Sequence, residues 1–332
     1  MTMMTFGAAM DGWPVRWLYR SYLADPGRLR ASVEAFRGHL LPYLQAWERH
    51  GVHIGMVSWE AAHWIGALYG RWYASRTEFM LGALQEYAAC FRSACVEIGP
   101  SGGHEVPALL HLESQVPAGF AFTAVVADET LMYRFPYGHP DRAKRGERNA
   151  AFLTPSAFDE RVLPVLDLLG RRVAAVVLRI ARIYRTERYP FAAFLRQLDG
   201  LLGALPHTYR YAVDVDNPEY LLPAYFDCLR SHGAAHVIRS RQEQEGEKLL
   251  GEVEHPGVLT GRCAVMHCPA AWSEETVLAL VGAVRRCCDE KRELYLYMQD
   301  GQDPRAPQFV MRMMEAMNPE LARLSPIRRK AA

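Results

Sequence analysis

Apolar residues along this chain fall into short runs separated by longer stretches with a helical repeat. Eight of the runs, at 53–58, 94–98, 121–126, 174–180, 209–215, 235–239, 262–267 and 293–299, read as strands. Between them, 77–91, 105–115, 156–170, 191–205, 219–232, 273–289 and 306–317 carry apolar residues at three- and four-residue steps and read as helices. Strand and helix alternating in this way predict a parallel sheet. Eight strands are the number that closes a TIM-like (β/α)8 barrel, so the expected fold class is α/β.

Ahead of the first strand, Asp25 and Pro26 have the form of an N-cap followed by a first-turn proline, and a helix is expected over 26–50. Its face of Leu29, Val33, Phe36, Leu40 and Leu44 suits packing on the barrel, with a protein partner for these N-terminal helices as the alternative. The expected division is an N-terminal helical extension at 1–50, the barrel at 51–325 and a basic tail at 326–332. Two stretches interrupt the rhythm. The insertion at 132–155 carries Arg142, Lys144, Arg145 and Arg148, and reads either as a solvated loop or as a lid that meets an anionic ligand. The polar segment 240–260 reads as loop with at most a short helix.

Half of the 332 residues are hydrophobic and 23% are charged, ordinary values for a globular chain. The formal net charge of +1 supplies no general field for nucleic acid, and no nucleic-acid motif is present. No apolar run approaches the roughly 18–20 residues that span a bilayer, and the start lacks the pattern of a signal peptide, so a cytoplasmic protein away from membranes is expected. Seven cysteines in no regular framework suit a reducing compartment. Cys263 and Cys268 flank His267 at a spacing that matches no standard zinc pattern, and buried free thiols are the expected state.

Several strand-end motifs are similar to those of one known family. Ile54-Gly55-Met56-Val57-Ser58-Trp59, with Trp64 and Tyr69 following, resembles that family's first-strand IGTSGW and aromatic loop. Phe91 with Cys95-Val96-Glu97-Ile98 resembles the second-strand F-x-x-V-E-I-N, with Gly99 in place of asparagine. Pro117-Ala118-Gly119-Phe120-Ala121-Phe122 resembles the third, with Val125 where a lysine is usual. Arg179, Ala181 and Arg182 replace a glutamine and two prolines in the fourth. Asp214-Val215-Asp216-Asn217-Pro218-Glu219-Tyr220 stands for E-F-R-H-P-S-W, and Tyr295-Leu296-Tyr297-Met298-Gln299-Asp300 for Y-x-Y-F-N-N. On these motifs the chain resembles the YecE-like family, domain of unknown function number seventy-two, over about residues 52–317, which implies a TIM-like barrel with no established reaction. Its departures fall on polar strand-end positions, which implies either a branch with a different ligand or a copy that has lost its activity.

Barrel chemistry gathers where the strands end, and the residues there form the candidate site. Glu97, Asp214 and His267 are the candidate catalytic groups, as acid, base and alternative base. Ser58, Trp59, Trp64, Arg179, Asp216, Asn217, Tyr297 and Gln299 are the candidate ligand-binding groups, with the two tryptophans as a stacking wall and Arg179 as a charge clamp. Side chains alternate along a strand, so Asp214 and Asp216 share a direction. An ion pair between Glu97 and Arg179 is the structural alternative, since an inward carboxylate needs a partner. The carboxylates and His267 could together hold a divalent metal, but no HxH or HExxH pair supports it. Dinucleotide and P-loop fingerprints are absent, and no cofactor is identified. The expected function is a small polar or anionic ligand at the barrel mouth with hydrolase or isomerase chemistry; the alternative is a degenerate barrel acting as a binding or scaffold protein.

Overall fold

Eight parallel strands close into a barrel in sequence order, each bonded to the next and the last to the first. They are β1 Val52–Met56, β2 Ser93–Ile98, β3 Ala121–Val126, β4 Val173–Ile180, β5 Tyr211–Val215, β6 Ala235–Arg239, β7 Cys263–Pro269 and β8 Glu293–Gln299. Around them lie α1 Pro26–Arg49, α2 Arg76–Ala88, α3 Val106–Gln115, α4 Pro155–Arg161, α5 Leu163–Leu169, α6 Phe191–Ala204, α7 Pro223–Ser231, α8 Glu274–Asp289 and α9 Ala306–Leu321. This computed structural model describes residues 25–99, 106–239, 252–255, 257–269, 273–299, 303–321 and 323. Among them no helix is long and apolar enough to cross a membrane. The sequence start, the tail at 326–332 and residues 240–251 lie outside the described residues.

Strand alternation divides the apolar residues into two separate cores. Outward residues such as Ile54, Val96, Phe122, Leu178 and Val213 join the helices in the larger one. Inward residues form the smaller one, the lumen, which includes Cys95, Val125, Ala175, Val177, Ala212, Ala235, Val237, Val265, Tyr295 and Tyr297. The lumen is filled unevenly. Small side chains from β4, β5 and β6 leave space that the two tyrosines of β8 occupy, and the Tyr297 hydroxyl reaches the Thr123 hydroxyl on β3 at 2.7 Å. Volume complementarity of this kind lets the barrel close at native packing density.

The N-terminal end of the lumen carries a charged group. Arg210 donates to Glu293 at 2.6 Å, to the Tyr295 hydroxyl at 2.9 Å and to the Ala174 carbonyl at 2.9 Å. His53 stacks on Tyr295 at 4.8 Å and approaches Glu293 at 3.5 Å. His53 and Arg210 outweigh the upward effect of burial and hold the Glu293 carboxyl well below its usual range.

Two expected helices begin or divide differently, both at proline. The expected helix at 156–170 is α4 followed by α5, with Pro164 in the first turn of the second, because proline inside one continuous helix removes a bond and clashes with the preceding turn. The expected helix at 219–232 starts at Pro223, after a 3-10 turn over Pro218–Tyr220. Helix α1 has Asp25 as its N-cap, accepting from the Arg28 amide at 2.8 Å, and packs on β1 and α9 through Val33, Leu40, Leu44 and Trp47. Its apolar face is therefore used by its own barrel. All seven cysteines are buried free thiols.

Gly55 pairs with Ser93 across β1 and β2, and a Cβ there would lie 2.1 Å from the Ser93 carbonyl oxygen. Because the obstacle is backbone in a closed sheet, Gly55→Ala is expected to cost about 3 kcal/mol or more, read as a lower urea midpoint. Acid provides a second check. The folded Glu293 pKa lies below its unfolded value of about 4.5, so its contribution is complete above that pH and is lost as pH falls towards the folded value. Between pH 6 and pH 3 the melting temperature of the wild type should fall further than that of Glu293→Gln.

Candidate functional site

Glu97, Arg179, Asp214 and Arg239 stand near the C-terminal ends of β2, β4, β5 and β6. Two residues before each are Cys95, Val177, Ala212 and Val237, all in the lumen, so these four also point inward. Arg179 and Asp214 are register partners on adjacent strands. The four, with Asp216 just beyond β5, form a ladder of alternating charge. Arg239 donates to Asp214 at 2.7 Å and to Asp216 at 2.6 Å. Arg179 lies 3.9 Å from Asp214 and 3.7 Å from Glu97, both longer than a hydrogen bond.

Exposure grades along this ladder. The Asp214 side chain is 2% exposed, Glu97 23%, Arg179 32% and Asp216 46%. Burial acts to lower the Arg239 pKa, but Asp214 and Asp216 outweigh it and hold it above the usual arginine value, so this guanidinium stays charged. A further carboxylate, Glu252, bonds the buried His236 on the outer side of β6 at 2.9 Å and comes within 3.4 Å of the Arg239 amide. The Tyr225 hydroxyl takes the other ring nitrogen of His236 at 3.0 Å, which fixes the ring between β6 and α7.

The remaining sequence candidates divide between the lumen and the scaffold. His267 is the register neighbour of both Arg239 and Tyr297, is buried, and meets the Tyr297 ring edge-on at 6.0 Å. Tyr297 is enclosed, and burial drives its hydroxyl pKa well above the ordinary value. Gln299 is exposed at the end of β8, and Asp300 lies outside the described residues. Ser58 accepts from the Glu60 amide at 3.0 Å and shapes the turn after β1.

Trp59 and Trp64 do not form an open wall. Each is 1% exposed; Trp59 packs on the outward ring of Phe122, and Trp64 on Tyr69, whose hydroxyl donates to the Trp59 carbonyl. Glu86 of α2 ties the same loop down, accepting from the Gly70 amide at 2.7 Å and from the Tyr73 hydroxyl at 2.8 Å. Asn217 is likewise committed: its amide donates to the Ile183 carbonyl and accepts from the Ile183 amide, both at 2.8 Å, pinning the loop after β4 to the end of β5.

The insertion at 132–155 is folded rather than loose. An antiparallel bridge joins Arg134 to Arg148, and Phe152 and Leu153 are buried. Its cations serve internal contacts: Arg134 pairs with Glu187 at 2.6 Å, Lys144 with Glu129 at 3.1 Å, and Arg145 donates to the His139 carbonyl at 2.6 Å. His139 also holds Glu129 at 2.7 Å. Burial raises the Glu129 pKa, but His139 and Lys144 outweigh it and keep the carboxyl below its usual range.

A cation site at the mouth has little to rest on. Among the described residues, Glu97, Asp214, Asp216 and His267 do not bring three ligand atoms within 4.8 Å of one another. Guanidinium groups already sit between these carboxylates. Arg239, the centre of the ladder, is the residue that strand-end reasoning passed over. Its signal was present in the sequence: it closes the sixth predicted strand, two residues after an inward valine.

Comparisons with other proteins agree with this architecture. The profile described as "Protein of unknown function DUF72" matches residues 53–331. A DUF72 family protein from Thermotoga maritima superposes with a TM-score of 0.55 at 15% identity, covering 80% of this chain and 99% of that one. Another, from Enterococcus faecalis, gives a TM-score of 0.51 at 12% identity, over 85% and 99%. At these identities the likeness speaks for the fold alone. No curated protein matches the sequence. With most of the barrel matched by the profile, the chain belongs to the DUF72 family, the same family as the YecE-like proteins.

Proposed function

We propose that the C-terminal mouth of the barrel binds a small polar ligand and acts on it by carboxylate acid–base chemistry, of hydrolase or isomerase type. The observation that supports this reading is the looseness of Arg179 within an otherwise tight ladder. Its guanidinium is a third exposed and stands 3.7 and 3.9 Å from two carboxylates, whereas Arg239 makes short bonds to Asp214 and Asp216. A cation held at that distance keeps donors free for a ligand.

Roles follow from exposure. Glu97, beside Arg179 and partly open, is the group placed to exchange a proton with the ligand. Asp214 is clamped by Arg239 and serves to position it. Asp216 and Gln299 extend the rim on the exposed side. Among the described residues the ladder sets Glu97, Asp214 and Asp216 against Arg179 and Arg239, and a ligand rich in hydroxyl groups suits such a mixed-charge rim better than a polyanion.

A thermal-shift screen with neutral sugars, sugar monophosphates and polycarboxylates tests this reading. A ligand at 100 times its Kd adds about 2.7 kcal/mol to stability, several degrees in melting temperature. A neutral or singly charged polyol is expected to stabilise the wild type and not Arg179→Met, while Glu97→Gln retains binding and loses turnover. Equal stabilisation of wild type and Arg179→Met would remove Arg179 from the site.

Asp214→Asn is expected to act differently, through stability. It strips the partly buried Arg239 guanidinium of a short carboxylate bond, at a cost of about 3 kcal/mol in chemical unfolding.

A further inference from the structure

Away from the mouth, on the outer layer of helices, three side chains of metal-binding type converge. Asp199 lies on α6; Cys228 lies on α7, and His232 caps the C-terminus of that helix. His232 Nε2 is 2.8 Å from Asp199 Oδ1, and Cys228 Sγ is 3.9 Å from the same oxygen. Among the described residues these three bring their ligand atoms within 4.8 Å of one another. We infer that Asp199, Cys228 and His232 form a site for a borderline-soft divalent cation, Zn2+ by preference, that fastens α6 to the end of α7.

Four features favour a cation over a plain surface His–Asp pair. Cys228 and His232 are four residues apart, the spacing that puts two side chains on one face of a helix turn. A thiolate, an imidazole and a carboxylate make a donor set that suits zinc better than calcium or magnesium. The site sits at the C-terminal end of α7, where the helix dipole favours positive charge. Gly203, one turn beyond Asp199 on α6, keeps the facing surface bare; a Cβ there would come 3.4 Å from the His232 ring.

Tetrahedral zinc with bonds of about 2.0–2.3 Å sets its ligands roughly 3.3–3.6 Å apart, and the separations of 2.8 and 3.9 Å found here bracket that spacing. On binding, the Cys228 thiol releases its proton to solvent as the sulfur–metal bond forms. The fourth position falls to water, reached past the Asp199 side chain, which is 61% exposed. A small cavity of about 20 Å³, also lined by His207, adjoins His232 and has room for one more water.

The test uses the full-length, reduced, chelator-treated protein titrated with Co2+. The expected result is one equivalent bound with a thiolate-to-cobalt charge-transfer band in the near ultraviolet and visible bands of tetrahedral intensity, both lost on adding Zn2+. Cys228→Ser should abolish the charge-transfer band. His232→Gln and Asp199→Asn, at more exposed positions, should fold normally and weaken binding at least tenfold. Zn2+ should raise the melting temperature of the wild type and not that of the variants. A cobalt spectrum without a thiolate band, or a band that survives Cys228→Ser, would overturn the assignment.

Discussion

A guanidinium that points into a lumen of alanine, valine, cysteine and tyrosine is stable only with carboxylates around it, and Arg239 meets that condition through Asp214 and Asp216. Much of the barrel mouth follows from this pairing. Asp214 must face inward at the end of β5, which sets the strand's register against β4 and brings Arg179 beside it. Arg179 then lies between Asp214 and Glu97, and the alternation of sign runs across strands that are far apart in sequence. The opposite end is built on the same principle, with Arg210 and Glu293 beneath the two tyrosines. An apolar lumen therefore has a charged group at each end. In the lower one Arg210 makes short bonds to Glu293, Tyr295 and the Ala174 carbonyl, and the upper one is loose at Arg179.

The barrel itself was legible in the sequence because strands buried on both faces leave plain apolar runs, and eight such runs with helices between them admit few other folds. All eight predicted strands match observed ones to within a few residues. The shared direction of Asp214 and Asp216 was legible as well, from period-two alternation, but whether it points inward is decided by the register of the closed barrel. The helices at 156–170 and 219–232 were misjudged where Pro164 and Pro223 interrupt a periodic pattern, a case in which backbone sterics override side-chain periodicity.

The loops were harder to read, for a physical reason. A tryptophan after a strand has the same sequence appearance whether it stacks on a ligand or packs behind the rim, and only the hydrogen bonds of its loop decide. Here Tyr69 and Glu86 pull the loop after β1 onto α2, which turns Trp59 and Trp64 into core. Asn217 looked like a strand-end ligand group, yet its amide satisfies a neighbouring backbone. The basic insertion likewise commits several of its cations, to Glu187 and Glu129 on neighbouring segments and to its own His139 carbonyl, because a long segment on the surface of a compact barrel must satisfy its polar groups somewhere. Partner choice of this kind depends on residues tens of positions away and leaves no local trace.

The central claim is that Glu97 and Arg179 are kept for a ligand, with the structural pairing carried by Arg239 and Asp214. Unfolding in urea of the double variant Glu97→Gln/Arg179→Met, compared with wild type, tests it most directly. A pair retained for function is one that the fold does not need, so the double variant should be as stable as wild type to within about 0.5 kcal/mol, or more stable. A loss of about 2 kcal/mol or more would show that the pair is part of the scaffold and contradict the claim.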